Sequence, residues 1–108
     1  MAATDGLYCV PGAIPIESRD EHFRRAKRLF TEVLVRAQRE HSGYAYFFDA
    51  NEIVEIGLFV HLERRCCPFL AFTLSLPAES SEAELRVSGP AGTPGFLEAE
   101  FGHGRGPS

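Results

Sequence analysis

The segment Glu63-Arg-Arg-Cys-Cys-Pro-Phe69 sets two adjacent thiols, Cys66 and Cys67, at the end of an expected helix, one turn beyond a carboxylate and close to the His61 imidazole. Thiols, a carboxylate and an imidazole are the groups that soft-metal binding or thiol chemistry uses. At about 100° per residue, Glu63 falls with Ile56 and Phe59 on the apolar side of the helix, and Cys67 follows it at i+4. A carboxylate on a buried stripe is costly unless it is paired or coordinated, which makes Glu63 more telling than the cysteines. Neighbouring side chains on a regular helix diverge by the same angle of about 100°. Cys66 and Cys67 could therefore share one ion only where the helix frays before Pro68. Cys9 would join them if an amino-terminal strand packs beside that helix end. The candidate ligand set is Cys9, Glu63, Cys66 and Cys67, and thiolates select soft ions such as Zn or Cu. The spacing matches no standard zinc pattern, and buried packing is the competing reading of the cysteines.

Catalysis is harder to assemble. A helix carboxyl end carries partial negative charge, which raises a thiol pKa, although Arg64 and Arg65 oppose it. Binding therefore fits the thiols better than nucleophilic activation. His22, His41, His61 and His103 are scattered, and no Ser/His/Asp or Cys/His pairing follows from spacing. His61 falls on the polar side of its helix. The loop Gly89-Pro-Ala-Gly-Thr-Pro94 could cradle an anion at a helix start. It lacks the glycine-rich phosphate-binding patterns and reads as a connector.

Whatever the chemistry, 108 residues make one domain, expected over 1–101 with a flexible glycine-rich tail from 102 to 108. A hydrophobic content of 44% allows a core without staples. The net charge of −4 argues against nucleic acid, which needs a basic stripe. No apolar run approaches the roughly 20 residues of a membrane span. The amino terminus has no basic or apolar signal region, so the cytoplasm is the expected compartment. Three cysteines make a poor disulfide framework, and all three are expected as thiols, free, liganding or reactive.

The elements that must position the site follow from patterning. Leu7 to Val10 reads as a short edge strand. Ser18-Arg-Asp-Glu21 has capping-box spacing, and Phe23, Ala26, Leu29, Phe30, Val33, Leu34 and Ala37 then share a helical face. The pattern predicts a helix over about 19–41, stopped by Gly43. Tyr44 to Phe48 reads as a strand, and Asp49 caps a second helix over about 50–66 that is apolar nearly all round. Pro68 ends that helix. Alternation then predicts strands over 70–76 and 84–88, paired as a hairpin, before a closing helix from Thr93. The order is (β)αβαββα: an α+β domain with a small antiparallel or mixed sheet and helices packed on one face.

On these residues the chain resembles a family of small uncharacterised bacterial proteins. They carry a Glu-x-x-Cys-Cys-Pro-Phe block, two strands, and a Gly-Pro-x-Gly loop into a final helix. The matching positions are Glu63 to Phe69, Leu70 to Leu76, Gly89 to Gly92, and Phe96-Leu97. The resemblance groups the chain and implies no particular mechanism. The residues themselves point to a cytoplasmic domain that binds a soft metal ion or thiol-reactive ligand. The alternative is a non-catalytic interaction domain, a homodimer whose seam is Val54, Leu58 and Leu62.

Overall fold

In the computed structural model, residues 10–102 are described. Their order is α1 (Ile16–Arg28), β1 (Leu34–Glu40), β2 (Gly43–Asp49), α2 (Ile53–Cys66), β3 (Ala71–Ser75), β4 (Glu82–Ser88) and α3 (Thr93–Phe101). The sheet is antiparallel throughout, in the spatial order β1-β2-β4-β3. This is the expected α+β class. The expected strand over 7–10 and the expected tail lie outside the described residues, apart from Val10 and Gly102.

The helix predicted over 19–41 ends early, contrary to expectation. Helix α1 gives way to a π-helical turn, Leu29–Val33, and the chain is strand from Leu34. The helix-like spacing has another cause. Leu34 opposes Phe48 and Ala37 opposes Tyr46, with a register shift between Leu34 and Arg36. A bulge adds one residue to a strand, so positions i and i+3 come to share a face. Gly43 is accordingly no helix stop but the first residue of β2. An added Cβ there would lie 1.7 Å from the Val87 carbonyl oxygen. The start differs too: Pro15 precedes the first turn, and Ser18 donates its N–H to the Pro15 carbonyl instead of capping.

One face of the sheet carries the core. Tyr44, Tyr46 and Phe48 of β2 and Ala83, Leu85 and Val87 of β4 are buried against the helices. Phe30, in the π turn, meets the edges of the Tyr46, Phe48 and Phe59 rings and stacks on Phe101 at 4.2 Å. The opposite face is polar. Arg86 pairs with Glu40 on β1 and Glu84 on β4, Arg36 pairs with Glu82, and the Arg36 guanidinium lies 3.9 Å above the Phe47 ring. β1 and β3 are the edges.

The second helix matches its predicted span closely, with Asn51 N–H donating to the Asp49 side chain at its start. Ile56, Phe59, Glu63 and Cys66 are buried, but Val54 is 69% exposed and Leu58 41%. α1 lies along one flank of α2, held by Arg25 to Glu55 and Arg28 to Glu52. That packing brings His22 of α1 over the last turns of α2.

Candidate functional site

Glu63 is buried, as its place on the apolar stripe requires, and both of its oxygens are engaged. Oε1 is 2.8 Å from His22 Nε2, and Oε2 is 3.3 Å from Cys67 Sγ. A carboxylate oxygen accepts, so Nε2 is the donor in the first contact. His22 is fully buried, its ring stacked on Phe59 at 5.6 Å. Each part follows from local structure. His22 shares its helix face with Ala26, Leu29 and Val33, whereas Phe23, expected on that face, is 46% exposed. Cys67 stays within reach of Glu63 because it still makes the last helical bond, its N–H donating to the Glu63 carbonyl at 2.8 Å, and only beyond it, at φ −123° and ψ 76° ahead of Pro68, does the chain leave the helix.

The two neighbouring cysteines have different states. Cys67 is disulfide-bonded. Its sulfur then has no proton to donate, and Glu63 Oε2 faces a sulfur, not a thiol. Upon reduction the same two atoms would make an S–H···O hydrogen bond. This corrects the expectation that all three cysteines are thiols: an odd count rules out complete pairing, not a single bond. Cys66 is free and buried, so it is not the partner of Cys67. Burial, and then the Glu63 charge, push the Cys66 thiol up to about 11. At neutral pH it is a protonated thiol, a poor nucleophile. Its carbonyl accepts from the Val10 N–H at 2.7 Å.

The structure thus brings Glu63 and Cys67 together and keeps Cys66 on the same helix end. Cys9 lies outside the described residues. Among the described residues, no three His, Cys, Asp or Glu side chains are grouped so as to hold a metal ion. His61 is exposed, as its polar-side position suggested. His22 is the site residue that sequence reasoning missed, yet its signal was the one used for Glu63: an ionisable residue at i, i+4, i+7 and i+11 spacing with apolar ones. Two such residues on two apolar stripes imply each other.

Away from this cluster, the Gly89–Gly92 loop lines an open groove of about 510 Å³ with Arg39 and His41. Arg39 is tied to Glu98, which also accepts from the Tyr44 hydroxyl at 2.7 Å. The guanidinium of Arg39 is therefore already paired.

No family model, curated protein or solved structure matches the chain. Its function has to be read from the chemistry of the site.

Proposed function

We propose that the reduced form of this domain binds a soft metal ion, such as Zn or Cu, or a thiol-reactive ligand, through Cys67, Glu63 and Cys66, with Cys9 as a further sulfur. The observation that carries this reading is the buried Glu63 carboxylate set between an imidazole and the Cys67 sulfur. A thiol must lose its proton to become a ligand. Glu63 Oε2 is the acceptor in contact with Cys67, and His22 holds that carboxylate in place. The raised pKa of Cys66 argues against a nucleophilic role for it. The cytoplasm, where thiols stay reduced, is the compartment that suits such a site. The grouping by the Glu-x-x-Cys-Cys-Pro-Phe block rests on this same stretch.

The test is a titration of the phosphine-reduced protein with Cu(I) or Zn(II) against a competing chelator. One ion per chain is expected. At 100 times Kd it raises stability by about 2.7 kcal/mol, because only the folded state binds. Cys67→Ser lowers the affinity at least tenfold, and the disulfide form does not bind. No thermal shift with either ion sinks the proposal.

A second reading, an interaction or dimerisation domain, is favoured by the exposure of Val54 and Leu58 on the outer face of α2. Its seam would be those two residues with half-buried Leu62, and its partner a second copy of the chain rather than nucleic acid.

A further inference from the structure

Closing the Cys67 disulfide takes a donor away from a buried charge. Glu63 is 6% exposed, and its Oε1 accepts from His22 Nε2 at 2.8 Å. The group facing Oε2 is the Cys67 sulfur at 3.3 Å, and among the described residues no N–H or O–H donates to that oxygen. Bonded, the sulfur brings no proton to the contact; as a thiol it donates its S–H to the carboxylate. Buried charge without its hydrogen bonds is costly, so the fold holds Glu63 better when Cys67 is reduced. Nor does the chain's approach to this helix end depend on the bond. The Val10 N–H donates to the Cys66 carbonyl at 2.7 Å, Ile14 is fully buried in the core, and Arg19 Nε donates to the Ile14 carbonyl at 3.0 Å.

We infer that the Cys67 disulfide is a reversible redox switch rather than a structural staple, and that the buried Glu63 carboxylate poises it toward reduction. The inference goes beyond the ion-binding reading and does not depend on it. With Cys66 free, the chain's three cysteines leave Cys9 as the partner of Cys67. The co-reactant is a dithiol. One of its thiolates attacks the bond, and Cys67, which is 0% exposed, is the leaving sulfur. The mixed disulfide so formed on the partner cysteine is then displaced by the dithiol's second sulfur. Two electrons pass from the dithiol, which ends as a disulfide, and its two protons end on Cys67 and the partner cysteine. The proton on Cys67 completes the contact with Glu63 Oε2, while His22 holds the other oxygen in both states. A hydrogen bond to a charged acceptor is worth about 10–100-fold in an equilibrium constant, and that is the bias toward the open form. Such a bond suits a reducing compartment, where protein disulfides are transient and sensing rather than structural.

The experiment equilibrates the full chain at fixed pH with mixtures of reduced and oxidised dithiothreitol, without metal. The chain is then quenched in acid, denatured and alkylated, and the labels are counted by mass. Cys66 takes one label in either form, and the reduced chain takes three. Glu63→Gln replaces the bare oxygen with an amide that can offer an N–H to the Cys67 sulfur. It should lower the ratio of reduced to oxidised chain about 10–100-fold at a given mixture, about 30–60 mV for this two-electron couple. General loosening of the fold would raise that ratio instead, so the sign separates poise from destabilisation. An unchanged or raised ratio overturns the inference, as does a chain that takes three labels in every mixture. A second measurement leaves Glu63 in place. In the reduced natural chain, the infrared S–H band that Cys67→Ser removes should lie at the lowered frequency of a thiol bonded to a carboxylate. A band at the frequency of an unbonded thiol overturns the inference even if Glu63→Gln does not fold. Ion binding by the reduced chain is read separately, and neither of these failures touches it.

Discussion

Glu63 has two oxygens with two different neighbours, and both neighbours are buried. Changing His22 to Phe keeps the ring stack but leaves the carboxylate buried without its imidazole, an uncompensated charge that costs about 3–5 kcal/mol. The double change His22→Phe with Glu63→Leu should recover most of that loss, since an apolar replacement of a buried pair is often neutral. Urea unfolding of the single and double variants measures the coupling. A single change costing less than about 1 kcal/mol, the scale of an exposed pair, would mean the carboxylate is not held as described. Cys66 carries a pH signature of its own. Its folded pKa is raised from 9.0 to about 11 by burial and the Glu63 charge, so the protonated thiol is the form that folding favours. Its contribution to stability is fully present below the unfolded value and is lost as pH climbs from about 9 to about 11. Thermal melts across that window should fall more steeply for the natural protein than for Cys66→Ala, and parallel curves would exclude the effect.

At the scale of elements, strand β1 separates what patterning can convey from what it cannot. Capping chemistry at Asp49, the proline after Cys67 and the strict alternation around Leu85 are local signals, and α2, β3 and β4 follow from them. β1 has no such local signal. Its apolar residues lie three apart because of a bulge, and only the ladder with β2 makes that spacing a strand. Gly43 resembles a helix stop for the same reason, since its real constraint is the Val87 carbonyl on a strand far along the chain. Gly43→Ala should therefore destabilise by at least about 1–3 kcal/mol, the scale of an overpacked core site. Chemical denaturation checks it. A neutral result would mean that β2 and β4 can part without cost. The site divides along the same line. Glu63 and Cys67 share one helix end and could be paired from spacing, whereas His22 reaches them only through the packing of α1 on α2.

For the molecule as a whole, α2 is the element with surface to spare. Its inner stripe is given over to the core, and α1 reaches only its flank, so Val54 and Leu58 remain open. If two copies meet there, Leu58→Glu should convert a dimer to a monomer in light scattering at micromolar concentration, without loss of fold. A natural chain that is already monomeric at that concentration leaves the interaction reading without support. β3 sets a different limit. Its five residues, Ala71–Ser75, carry no charge, and as a sheet edge it presents unpaired backbone groups along one side. Charged or inward-turned residues are the usual guards of such an edge. Here the guards are Pro68 and Pro77, which lack the N–H a lengthening ladder would need. Pro68 thus has a second role: the residue that ends the helix behind Glu63 and Cys67 also helps keep this edge too short to recruit a stranger's strand.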